Sequence, residues 1–144
     1  MSDCVFCERI KRDEYDVSGF GAVSFEPLNP VTPGHRLFLP VNHAKDARDM
    51  SALGSAVALA SRFTWDHPGD FNLITSAGTA ATQTIKHLHV HYVPRHEGDG
   101  LALPWTGQRT EPPDPALGRC PVMLQCHRET GHAGGHEARE ASDG

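Results

Sequence analysis

No stretch of this chain approaches the roughly 20 apolar residues that a membrane span requires. The charged start around Met1-Ser2-Asp3-Cys4 also lacks the apolar core of a secretory signal. A cytosolic (cytoplasmic) protein is therefore expected. A basic run is missing too: the formal charge of -5 is distributed through the sequence, so neither nucleic acid nor a membrane surface is indicated as a partner. Cysteine is scarce, with four in 144 residues. In a reducing compartment Cys4-x-x-Cys7 and the pair Cys120 and Cys126 read as metal ligands rather than disulfide partners. A redox-active Cys-x-x-Cys is the competing reading, but it belongs beside a strand and a helix, and neither is apparent at this end. Internal repeats and coiled-coil heptads are absent. What remains is one domain with a core, plus some length for an appendage.

What the chain does have is His87-Leu88-His89-Val90-His91. On an extended strand the side-chain period is two, so His87, His89 and His91 line one face while Leu88, Val90 and Tyr92 enter the opposite, apolar one. Imidazole serves as nucleophile, proton carrier or metal ligand near neutral pH, and three in a row make a site. An anionic substrate needs a locally positive pocket, for which the histidines, Arg36, Lys86 and Arg95 are candidates.

Upstream, Ala22-Val23-Ser24-Phe25 predicts a strand that runs into Glu26-Pro27-Leu28-Asn29-Pro30-Val31-Thr32-Pro33-Gly34, whose prolines and glycine forbid regular structure. Arg36-Leu37-Phe38-Leu39-Pro40 predicts the next strand. Asn42 is a helix N-cap candidate, with Ala47, Met50, Leu53, Val57 and Ala60 at helical spacing through about Phe63. After the Asp66-His67-Pro68-Gly69 turn comes a strand, Phe71-Asn72-Leu73-Ile74-Thr75. A loop of small residues, Ser76 to Gln83, then leads to the histidine strand, which ends at Pro94-Arg95. Small side chains let a phosphate approach backbone N–H groups closely.

Taken together, the Cys-x-x-Cys start, the Pro33-Gly34-His35 turn, the strand ending at Pro40, His43 at the helix start, the loop to Gln83 and His87 through Arg95 resemble the histidine triad (HIT) family of nucleotide hydrolases and transferases, over about residues 4 to 105. The resemblance implies an α+β fold: an antiparallel sheet of about five strands packed on one long helix, commonly paired into a homodimer. It also implies attack on the α-phosphorus of a nucleotide conjugate, a nucleoside phosphoramidate or dinucleoside polyphosphate, with a nucleotidyl-histidine intermediate on His89. His91 would donate a proton, and Gln83 and Thr84 would orient the phosphate or leaving group. Some members carry a structural zinc, and Cys4, Cys7, His43 and His87 fill all four of its positions, a closed set suited to that ion. Departures fall on the substrate side. Pro27 occupies a position often acidic or Asn, so that Glu26 or Asn29 must hold the ribose. Ser76 stands where Asn or Gln is frequent ahead of the phosphate loop, and Thr82 where glycine is usual. Phe25 and Leu28 are candidates for an apolar base slot, and Trp105 for packing at the domain end.

The expected organisation is a catalytic domain over residues 1–105, a proline-rich linker over 106–119 and a Cys/His element over 120–144. Within that element Cys120, Cys126, His132 and His136, separated by five, five and three residues, form a candidate second zinc site, with His127 an alternative ligand. Two other function classes remain open from the sequence. One is a hydrolase whose three strand histidines hold a catalytic metal. The other is a non-catalytic nucleotide-binding adaptor.

Overall fold

The computed structural model describes residues 4–102, and packing of its compact unit ends at Asp99. Trp105, the linker and the candidate ligands Cys120, Cys126, His127, His132 and His136 lie outside the described residues.

Five strands form one antiparallel sheet: β1 (Val17–Gly19), β2 (Ala22–Phe25), β3 (Arg36–Pro40), β4 (Asp70–Thr75) and β5 (Val90–Arg95), in the order β1-β2-β3-β5-β4. The long helix is α2 (Met50–Thr64), and a shorter α1 (Val5–Lys11) opens the chain. Strand alternation sends side chains to two covered faces. Ala22, Phe38, Val90 and Tyr92 meet Ala56, Leu59 and Ala60 of α2 on one face. Val23, Phe25, Leu37 and Leu39 meet Phe6 of α1 on the other. Burial on both sides explains why β2 and β3 read as nearly continuous apolar runs.

Three expectations are corrected. The long helix starts at Met50, not after Asn42: Asp49 is the N-cap, its carboxylate accepting from the Ala52 amide at 3.0 Å. The backbone before it has other partners. Ala44 O accepts from the Leu88 amide at 2.7 Å, and Asp46 accepts from the Arg48 amide at 3.0 Å. The buried stripe of the helix is consequently rotated: Ala56, Leu59 and Ala60 face the core, whereas Met50 is 84% exposed. Second, a helix does stand at the Cys-x-x-Cys, with Cys4 at the N-cap of α1 and Cys7 in its first turns. Third, His87 and His89 precede β5, which begins at Val90. Among the described residues no helix is long and apolar enough to cross a membrane.

Candidate active site

Histidine chemistry depends on which ring nitrogen carries the proton, and backbone partners decide that here. At 2.7 Å the carbonyl of His87 has only a lone pair to offer, so His89 Nδ1–H donates to it and the other nitrogen, Nε2, keeps its lone pair. Thr75 in β4 donates its hydroxyl to the His89 carbonyl at 2.9 Å, fixing the backbone on the other side. A second chain of bonds sets His91. The Val31 amide donates to His35 Nδ1 at 3.1 Å, so the proton of His35 sits on Nε2, which lies 2.9 Å from His91 Nδ1. His91 therefore accepts at Nδ1 and carries its proton on Nε2. Burial, then the neighbouring His89 and His35 rings, push the His91 pKa down to about 4, and burial also lowers that of His35. At neutral pH His91 offers a neutral N–H, a hydrogen-bond donor rather than an imidazolium acid.

His35 is supplied by the turn that ends the proline-rich loop. Gly34 there has φ +83°, and a Cβ on it would meet Pro94 Cγ at 3.2 Å, so the turn closes against β5 only with glycine. The sequence pattern contained this histidine without assigning it a task.

The first histidine of the row does different work. His87 Nε2 donates to the Pro40 carbonyl at 3.0 Å, leaving Nδ1 with a lone pair 3.5 Å from Cys4 Sγ and 3.4 Å from Cys7 Sγ. His43 Nδ1 lies 3.4 Å from Cys7 Sγ, and one ligand atom from each of Cys4, Cys7, His43 and His87 falls within 4.8 Å of the others. Burial, then the adjacent Cys4, push the Cys7 thiol pKa up. Two sulfurs and two imidazole nitrogens converging, with one imidazole locked in the metal-ready tautomer, fit zinc. With both nitrogens of His87 engaged this way, a metal site built from His87, His89 and His91 lacks its first ligand.

A cavity of about 990 Å³ opens beside His89 and His91. Of the sequence candidates, Phe25, Leu28, Asn29, Glu26 and Thr84 line it. Gln83 and Ser76 do not. Gln83 is buried, its Oε1 accepting from the Gly78 amide at 2.9 Å and its Nε2 donating to the carbonyls of Lys45 and Ile85 at 2.7 and 3.1 Å. Its amide braces the loop from inside. Nor do the expected cations face the cavity: Arg36 pairs with Asp16, Arg95 with Asp99, and Lys86 donates to the Gln83 carbonyl. Among the described residues the cavity's cations are Arg9 of α1 and Arg12, the residue that follows the helix, neither of which the sequence pattern pointed to, nor did it point to Phe6. The i, i+4 spacing of Phe6 and Ile10 was the available signal for that helix.

Residues 21–98 match the family model described as HIT domain. The chain is 30% identical to an uncharacterised HIT-like protein of Mycoplasma genitalium, over 76% of this chain and 86% of that one. It is 29% identical to an adenosine 5'-monophosphoramidase of Saccharomyces cerevisiae, over 75% and 73% of the respective chains. A zinc-bound histidine triad family protein from Mycobacterium smegmatis superposes with a TM-score of 0.54 at 32% identity, covering 69% of this chain and 80% of that one.

Proposed function

Because this chain belongs to the HIT family, we propose that it cleaves a nucleoside 5'-phosphoramidate or a related nucleotide conjugate at the α-phosphorus, through a nucleotidyl intermediate on His89 Nε2. The hydrogen bond from His89 Nδ1 to the His87 carbonyl carries the reading, since in the neutral ring it puts the lone pair on Nε2, at the residue that lines the cavity. The Nε2–P bond forms as the bond from phosphorus to the amine or other leaving group breaks, and the leaving group departs with a proton taken from solvent. Water then attacks the same phosphorus and gives up a proton to solvent, the N–P bond breaks, and the nucleoside monophosphate is released with His89 neutral again. His91 Nε2–H donates to an oxygen on phosphorus and stabilises charge as it develops there. Thr84 and Asn29 line the same cavity and orient the phosphate and the sugar. The monophosphoramidase activity named for the yeast relative supports this reaction class.

Cys4, Cys7, His43 and His87 hold a zinc ion in this reading. Four protein ligands would make the ion's contribution structural, and His87, one of them, has the carbonyl that orients the nucleophile. The second zinc proposed from the C-terminal Cys/His pattern would be a separate equivalent.

The test is His89→Ala in the full chain, with adenosine and guanosine 5'-phosphoramidates as substrates. Turnover should fall by a factor on the order of 10³ or more, while nucleotide binding and metal content persist. Mass spectrometry of wild-type protein quenched during turnover should place the nucleotidyl adduct on His89. Loss of a metal equivalent in the variant, or an adduct on another residue, would overturn the assignment.

A further inference from the structure

Arg9 is a cation in an unexpected place. Its side chain is only 27% exposed, it lines the cavity, and its Cζ sits 3.9 Å from the centroid of the Phe25 ring. Its polar contacts are long for a guanidinium: Nε to Glu14 Oε2 at 3.7 Å and Nη2 to the Glu14 carbonyl at 3.5 Å. Glu14 is held instead by Arg12, at 2.8 Å. A largely buried guanidinium with an aromatic face beneath it and only a long 3.7 Å ion pair to Glu14 keeps N–H donors for a further acceptor. It has the form of a group waiting for an acceptor.

Ring contacts show which acceptor can reach it. The His89 ring lies 5.3 Å from Phe6, Phe6 lies 5.5 Å from Phe25, and Arg9 covers Phe25. These side chains make one continuous wall, and the cavity beside it is the room available to whatever hangs from phosphorus at His89. A nucleoside anchored there runs along Phe6 and Phe25 and brings its base to Arg9.

We propose that Arg9 is the base-selecting residue of this site and that it favours a 6-oxopurine, guanine or hypoxanthine, over adenine. This rests on the reading that His89 carries the nucleotide. The chemistry lies in the fork of guanidinium donors. Guanine presents O6 and N7, two acceptors at matching spacing, whereas adenine presents N7 beside an N6–H₂ donor. Against adenine one arm of the fork meets a donor and stays unpaired in a partly desolvated slot, which is what makes such pockets discriminate.

The experiment uses the full-length, metal-loaded protein as wild type, Arg9→Met and Arg9→Lys. Met keeps an unbranched stem over Phe25, and Lys keeps the charge without the fork. Dissociation constants for GMP, IMP and AMP are measured by calorimetry, and kcat/KM for the guanosine and adenosine 5'-phosphoramidates. Metal content and Tm report whether α1 stays in place. Wild type should favour the 6-oxopurines about tenfold in both measurements, and both variants should bring that ratio close to one. Equal binding of GMP and AMP by wild type, or a preference that survives in Arg9→Met or Arg9→Lys, overturns the proposal. Turnover of both phosphoramidates with no base preference removes this assignment and leaves the nucleotidyl-histidine reading standing. A GMP preference lost in both variants, with no turnover of either substrate, upholds the base assignment and removes the reaction.

Discussion

At the scale of single residues, three histidines spaced by two have three different partners, which put the proton of His87 and His91 on Nε2 and that of His89 on Nδ1. His87 gives its proton to the Pro40 carbonyl and turns Nδ1 to the thiols; His89 gives its proton to the His87 carbonyl; His91 receives one from His35. The row itself is plain in the sequence. The proton positions are not, because Pro40, His35 and Val31 are distant along the chain and reach the row only through strand pairing. One consequence is measurable. His91 has an ordinary pKa of 6.5 and is pushed to about 4 by burial and by its two neighbouring rings. Between those values the unfolded chain binds a proton at this position and the folded one does not, so stability is retained above pH 6.5 and falls as the pH drops toward 4. Urea titrations at pH 7 and pH 5 on wild type and His91→Asn should show wild type losing about 1–2 kcal/mol more than the variant. Protonation of the thiol and imidazole cluster is common to both proteins and cancels in the comparison. Parallel losses would show that His91 is not held neutral by the fold.

Among the elements, those with strong periodic or β-branched and aromatic content were legible, and those defined by tertiary partners were not. Strands β2, β3 and β4 fall within a residue of where the apolar runs place them. β1 contributes only Val-Ser-Gly, too short and too weak in strand propensity to stand out from a turn. The start of α2 was misplaced because Ala44 and Lys45 give their carbonyls to Leu88 and Gln83, a claim on the backbone that no local pattern reveals. That same claim joins the segment bearing His43 to the loop between β4 and β5, and it defines what Gln83 does. The resemblance assigned Gln83 to the phosphate or leaving group; the structure uses its amide to close the loop at Gly78 and tie it to Lys45 and Ile85. Gln83→Ala leaves the part-buried Gly78 amide and the Lys45 and Ile85 carbonyls without these partners and should cost about 1–3 kcal/mol. It should also speed hydrogen exchange at the Gly78 amide. A side chain that touched only substrate would leave both quantities unchanged while lowering kcat/KM, so denaturation alone separates the two roles.

Across the described molecule, the sheet has a different cover on each face, and the two are secured differently. α2 is fifteen residues long and packs through Ala56, Leu59 and Ala60. α1 has seven residues, too few to be stable alone, and its apolar hold is Phe6 with help from Ile10. In the proposed reading a zinc ion held by Cys4, Cys7, His43 and His87 would fasten it, because the first two residues stand at the start of α1 and the last lies two residues before the proposed nucleophile. α1 is also a wall of the active cavity, supplying Val5, Phe6 and Arg9. Metal binding, stability and nucleotide affinity should therefore fail together. Stripping the proposed zinc with a chelator, or replacing Cys7 by Ser, removes folding free energy of several kcal/mol and should lower Tm by more than about 10 °C. GMP and AMP affinity should fall by at least about tenfold, since Phe6 and Arg9 are no longer held over Phe25. Readdition of zinc should restore both in the stripped wild type but not in Cys7→Ser. Elemental analysis counts the ion, and melting and calorimetry follow its consequences. A stripped protein that melts earlier, as expected, but binds nucleotide normally would mean that α1 keeps its place through Phe6 and Ile10 alone, and the metal would then serve stability without shaping the site.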